Sequence, residues 1–459
     1  MPGPIARRDF VRTAAAAGVA LPLTRWLGDH AVPAGQLAIV DTTVFDARTR
    51  RLRPHETVVV TGDRVSAIGP AAGLKAPPGA RTIDGRGRYL IPGLIDAHVH
   101  LTHVLFQAGV TGDDILPLFL AHGVTSVRST GDNVPAQALL QRYAASHAGI
   151  APRIFSASYL IDGAAIDHPD VGWSLTDPAQ VPDFVAQMAR WQVTTLKIYV
   201  GVERPVGRRI IEEAHQRGLV VAGHLERYAP ADAATDGIDS LEHIYTIADF
   251  ARATPDDRHS FDPASDATKR LVDHVVAHNV AIDPTLMVFW GTLFFVDVPA
   301  VIEHPDNGLV PKRLRDYWLA DNPRRLKDFS AGPLAIRWRT FGRYQELVGL
   351  LHRSGVRILA GTDSAEPQVT PGAALHHELE LLVESGMGAA DVLASATLEN
   401  ATILGQDANL GAVEQGKLAD LVLLDADPLA DIRNTRRIRQ VIRGGMALAP
   451  ATIMESRVR

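Results

Sequence analysis

The chain has no cysteine among its 459 residues. That excludes disulfides, thiolate nucleophiles, cysteine-ligated zinc, iron–sulfur clusters and a lipidated cysteine anchor. It also lacks any block of basic residues. Lys and Arg number 46 against 52 Asp and Glu, a net charge of −6. Nucleic acid therefore finds no electrostatic footprint. No stretch of the body approaches the roughly 20 apolar residues of a membrane-spanning helix. Repeats of solenoid length and low-complexity linkers are absent too. The remaining composition, 46% hydrophobic and 21% charged, is that of a globular chain with a sizeable core. Length sets a prior of roughly three domains of about 150 residues, or fewer if one is a barrel of about 250.

Two features stand out. Histidine is abundant, with 18 copies. The N-terminus carries Arg7-Arg8 ahead of a short apolar run, 13–23, and Val32-Pro33-Ala34 offers small residues for cleavage. A paired arginine before such a run resembles a twin-arginine signal. Residues 1–34 are therefore expected to be a signal peptide, and the protein to be exported, to a periplasm in a bacterium with two membranes.

Stretches 36–43 and 56–68 are rich in Val, Ile and Thr with Gly-Asp turns and read as short strands. From residue 91 the pattern changes. Apolar strand-like runs at 94–101, 124–129, 153–161, 194–200, 219–225, 240–243, 280–288 and 357–362 alternate with helical candidates such as 115–122, 182–192, 207–217 and 267–278. Alternation of buried strands with helices argues for parallel βα units, and eight units argue for closure into a (β/α)8 barrel. The interval 289–356 holds Trp290, Trp318 and Trp338 and reads as a mostly helical excursion, either a lid or a packing appendage. Strand character returns after residue 410. The expected architecture is α/β: a TIM-like barrel over 91–405, and a small β-sandwich domain built from both chain ends, 35–90 and 406–459.

His98-Val99-His100 ends the first barrel strand. Residues two apart on a strand share a face, so both imidazoles can chelate one metal, at the end of the barrel where active sites lie. Lys197 sits in an otherwise apolar strand. A buried lysine is costly unless neutralised or paired. Its neutral amine can capture carbon dioxide as a carbamate that bridges two cations; an ordinary ion pair is the alternative. His224 and His243 close the fifth and sixth strands. Each alone reads as readily as a satisfied core histidine. Asp363 ends the eighth strand, as a helix cap or as a ligand and general base. The convergence of these side chains at successive strand ends is more informative than any one of them, and nitrogen and oxygen donors suit zinc or a similar divalent ion.

These residues lie in motifs that resemble the amidohydrolase superfamily: Pro92-Gly93-Leu94-Ile95-Asp96-Ala97-His98-Val99-His100, Lys197, His224, Ser240-Leu241-Glu242-His243 and Ala360-Gly361-Thr362-Asp363. The stretches 411–424 and 441–445 extend the similarity, which runs from Gln36 to Leu448. Within the superfamily the chain resembles the imidazolonepropionase-related, prolidase-like group. The resemblance implies a binuclear metal centre. His98, His100 and Asp363 would hold the more buried ion and His224 and His243 the more exposed one, bridged by N6-carboxylated Lys197. Zinc is the expected metal. Tyr245 is placed to polarise the substrate carbonyl, with packing as the alternative. One departure is that Val127-Arg128-Ser129-Thr130 lacks the aspartate that many relatives carry after Val-Arg.

The implied reaction is hydrolysis of an amide C–N bond in a dipeptide or N-acyl amino acid by a hydroxide shared between two metals, with Asp363 as general base. Arg128, Arg204 or Arg227, just beyond strand ends, would grip a substrate carboxylate; a solvated surface charge is the plainer reading of each. The alternative activity is a cyclic-amide or imide hydrolase, or a mononuclear deaminase of the same superfamily. The deaminase pattern His-x-x-Glu after strand five is not met, because Arg227 stands three past His224. The expected partner is a small amide substrate, and a homo-oligomeric state stays open.

Overall fold

The computed structural model describes residues 35–254, 257–294, 298–320 and 332–456. The twin-arginine expectation falls on residues that lie outside these.

Two sheets organise the chain. The barrel sheet contains Leu94–Val99, Val124–Ser129, Arg153–Asp162, Thr195–Ile198, Val220–Gly223, Ser240–Glu242 and Ala281–Asp283, paired in that order and all parallel. Leu94–Val99, Val124–Ser129 and Thr195–Ile198 are buried at every position. Continuous burial is the mark of parallel strands covered on both faces. The covering helices carry one apolar stripe each. In Val181–Arg190 the buried positions are Val181, Phe184, Val185 and Met188, the i, i+3, i+4, i+7 spacing of a single helix face.

The eighth unit closes the barrel without forming a regular strand. Single parallel bridges join Ile358 to Ile282 and Ser364 to Val99. Between them Leu359 N–H donates to Ile282 O at 2.8 Å, and Ala97 N–H to Ala360 O at 3.0 Å. The pleat cannot continue because Asp363 takes φ 64°. Gly361 lets the backbone come close here: an added Cβ would lie 2.3 Å from the Asp283 carboxylate. The expected seventh run, 280–288, is also shorter than its apolar pattern. Its strand stops at Asp283, Thr285 turns at φ 46°, and Leu286–Phe294 is a helix. A run of apolar residues does not distinguish a buried strand from a buried helix.

The second sheet joins both chain ends. Its order runs Met446–Leu448, Ile438–Arg443, Leu421–Leu424, Tyr89–Pro92, Gln36–Asp46, Arg51–Thr61 and Arg64–Pro70, with Arg81–Asp84 also paired to Gln36–Asp46. The sheet curls until Val65 N–H meets Lys417 O at 2.9 Å. It thereby encloses a separate core that includes Ile39, Val58, Val65, Leu421 and Ile442. Tyr89–Pro92 belongs to this sheet, and barrel pairing starts at Leu94. Arg153 on the barrel grips Asp420 at 2.6 Å across the seam.

Candidate active site and metal centre

The strand ends converge on one cavity of about 120 Å³. His98, His100, Lys197, His224, His243, Tyr245 and Asp363, all singled out from the sequence, line it together. Donor atoms of His98, His100 and Asp363 lie within 4.8 Å of one another. The His98 and His243 rings are 4.7 Å apart, and those of His224 and His243 4.5 Å.

The outer ring nitrogens set how these imidazoles are aimed. His98 Nδ1 lies 2.7 Å from Glu242 Oε2, His100 Nδ1 3.0 Å from Gly131 O, and His243 Nδ1 2.8 Å from Thr285 Oγ1. A carboxylate and a carbonyl can only accept, so Nδ1 of His98 and of His100 carries a proton, and in neutral His98 this leaves Nε2 with its lone pair. His98 Nε2 and Lys197 Nζ are buried and have no hydrogen-bond partner among the described residues. A lone pair aimed into a cavity beside Asp363 fits a cation. A charged lysine ammonium beside that cation would not. Burial pushes the Lys197 amine down to about 8, so a neutral amine is within reach at ordinary pH. Burial likewise pushes His98 down to about 4, and His224 and His243 well below the usual range, keeping all three neutral. His100 is the exception: burial is outweighed by the Asp363 carboxylate, which raises it to about 9.

Beneath these donors lies a buried charge cluster. Arg128 Nη2 donates to both Glu242 oxygens at 2.9 Å and lies 3.6 Å from Asp283. Arg128 and Lys197 outweigh the effect of burial and hold the Glu242 carboxyl well below its usual range. Burial and the Glu242 charge push Asp283 well above its own. The three arginines expected to grip a substrate carboxylate are engaged with carboxylates of the chain itself. Arg128 is fully buried and spent on Glu242 and the Ala97 carbonyl. Arg227 is exposed and pairs with Glu203 at 3.2 Å, and Arg204 pairs with Asp232 and Asp236. None of the three lines the cavity. Substituting Arg128→Met is expected to destabilise the fold by about 3–5 kcal/mol, because the buried Glu242 charge loses its guanidinium partner. Denaturant unfolding checks this. A raised KM at unchanged stability would restore the grip reading.

Several residues escaped the sequence reading. Glu242 is one of them, although its alternation with Ser240 puts both on one strand face. Asp132 is a further buried carboxylate beside the first strand end. Its carboxylate accepts the Ser129 hydroxyl and the N–H groups of Leu101 and His103, at 2.7 and 2.9 Å. His103, His168, Tyr199 and Glu366 also line the cavity. The described residues of the 289–356 excursion are mostly helical, and the helix at its start forms a wall through Val288, Phe289 and Thr292. Trp318 is buried instead, its indole N–H donating to Ala365 O at 3.1 Å. Three strand-end residues, His243, Thr285 and Asp363, hold positive φ of 64°, 46° and 64°. Such conformations cost roughly 1–3 kcal/mol each and persist where surrounding contacts impose them.

A (β/α)8 barrel that gathers His, Asp and Lys at its strand ends is a hydrolase framework. Its family follows from comparison. The amidohydrolase family matches residues 89–448, and the chain belongs to it. An imidazolonepropionase from Symbiobacterium thermophilum is 22% identical over 388 residues, 81% of this chain and 84% of that protein. An adenine deaminase from Deinococcus radiodurans is 36% identical over 93 residues, 20% of this chain. That match spans only 16% of the deaminase's own length, and the one to the Paracoccus denitrificans enzyme 13%. Among solved structures, a bottromycin amidohydrolase superposes with TM-score 0.70 at 24% identity, covering 92% of this chain and 89% of that one. A Xaa-Pro dipeptidase gives TM-score 0.67 at 20% identity, covering 90% and 100%. At these identities the structures show the shared fold.

Proposed function

We propose that this hydrolase cleaves the amide C–N bond of a small substrate, a dipeptide or an N-acyl amino acid, at a binuclear metal centre. The observation that carries the reading is the convergence on one cavity of four imidazoles, one carboxylate and a buried lysine that has no hydrogen-bond partner among the described residues. Divalent ions, zinc first among them, held by His98, His100 and Asp363 and by His224 and His243, with carboxylated Lys197 between them, would supply Lewis acidity and lower the pKa of water to about 7.

The chain's own groups do the rest. Burial pushes the Asp363 carboxyl up, but His98, His100 and His243 outweigh it and hold it well below the usual range. It therefore stands ionised, accepts the proton of the attacking water and returns it to the leaving nitrogen. Burial pushes the Tyr245 phenol well above 10, so it stays protonated and donates to the carbonyl oxygen as charge develops there. Its hydroxyl already contacts His224 Nε2. Val288, Phe289 and Leu160 supply an apolar wall for one half of the substrate. Tyr245→Phe is expected to lower kcat by about 10²-fold with KM within threefold, as for loss of one oxyanion donor. Steady-state kinetics check it.

Metal content per chain, measured together with a screen of dipeptides and N-acyl amino acids, tests the reading. Two equivalents of metal and release of a free amino acid support it. One equivalent, with ammonia released from a purine or an opened cyclic amide, would replace it with the alternative activities.

A further inference from the structure

Glu378 lies on the helix Ala373–Glu384 and is fully buried. It does not line the cavity, and among the described residues it pairs with no cation. Its two oxygens accept the backbone N–H groups of Leu286 and Met287, at 3.0 and 2.6 Å, across more than ninety residues of sequence. These are the first donors of the helix Leu286–Phe294, and the first N–H groups of any helix lack intrahelical partners. A carboxyl group from a separate helix thus caps this one; burial pushes it up to about 8, against the pull of the two N–H donors.

What it caps is a wall of the site. Val288, Phe289 and Thr292 on that helix line the cavity, and the Phe289 ring stands 5.5 Å from Tyr245 and 6.4 Å from His243. The preceding residue, Thr285, bonds His243 Nδ1 from a left-handed conformation. The two helices also meet where His377 packs on Trp290, with ring centroids 5.4 Å apart.

We propose that Glu378 is a positioning residue that sets substrate selectivity by pinning the N-terminus of the helix Leu286–Phe294, and with it the apolar wall Val288–Phe289 and the Thr285–His243 contact. The choice of substrates below rests on the amide-hydrolase reading; the pinning itself does not.

Two variants of the full chain test it. Glu378→Gln keeps the volume but turns an NH2 group on one of the two backbone donors. Glu378→Asp keeps the carboxyl group but falls one methylene short. Kinetics are compared for an acyl substrate bulky and apolar at the end facing Phe289 and for its acetyl counterpart. The expected result for Glu378→Gln is about a tenfold rise in KM for the bulky substrate relative to the small one, the scale of a modest pocket change, with kcat within threefold. Glu378→Asp should fall between it and the parent. Hydrogen exchange at 284–294 should quicken in both, while exchange at 195–198 stays unchanged. Ile453→Ala, in the terminal helix, serves as a control for general destabilisation. If both substrates lose activity in equal proportion, as in the control, the positioning role is overturned. Unchanged exchange at 284–294 overturns it independently of any substrate, so a failure of the amide-hydrolase reading stays distinguishable from a failure of this one.

Discussion

Asp363→Asn is expected to lower kcat by about 10³–10⁴-fold, the range a positioned general base contributes. Asparagine keeps the size of the side chain but can neither take a proton nor offer a negative charge to a cation. The carboxylate sits 3.2 Å from His100 Nε2 and 3.5 Å from His98 Nε2, so one substitution removes a ligand and a proton carrier together. A pH signature separates this from misfolding. In metal-free protein His100 is raised to about 9 by Asp363. A histidine raised in the folded state contributes stability that is full below its unfolded pKa, about 6.5, and is lost as pH rises through 9. Asp363→Asn should flatten that slope between about pH 6.5 and 9. Thermal melts of metal-stripped wild type and variant measure it. A variant that keeps both the slope and kcat would remove Asp363 from the mechanism.

Lys197→Ala should be nearly as damaging. Losing an outer partner of a metal ligand typically costs about 10–100-fold, and losing a bridging ligand should exceed the upper end of that range. The physical case is the amine's isolation: it is buried, has no hydrogen-bond partner among the described residues, and is lowered to about 8 by burial. An amine near neutrality that makes no hydrogen bond among the described residues can react with carbon dioxide. The variant leaves space at the place of the carbamate, so acetate or propionate should restore part of the activity. Intact-mass measurement of native protein in bicarbonate should show the added mass of one carbon dioxide, absent from Lys197→Ala. Full activity of the variant would sink the bridging role, and so would wild-type activity that ignores bicarbonate after metal removal and reloading.

The site was unusually legible because its residues sit at strand ends. A short apolar run closed by His98, Lys197, His224, His243 or Asp363 can be read locally: the run predicts the strand, and the last residue is delivered to the barrel mouth. The supporting residues were less legible. Arg128 looked like a surface grip because a guanidinium in a strand carries no mark of its partner. Only closure of the barrel places Glu242, more than a hundred residues away, on its fork. Asp132 reaches Leu101, Ser129 and His103 through a turn whose shape no spacing rule specifies. The apolar run 280–288 was misread because strand and buried helix share that pattern, and the change between them lies in one backbone angle at Thr285.

From the sequence by itself came the barrel, the terminal β-domain, the family likeness and the ring of candidate ligands. These depend on hydrophobic period and on residues close in the chain. The tertiary structure alone decided which ring nitrogen faces the cavity, which arginine is buried, how the eighth segment closes the barrel and what holds the apolar wall. Each of those rests on a contact between distant segments, and burial, which sets charge and tautomer, exists only once the segments have packed.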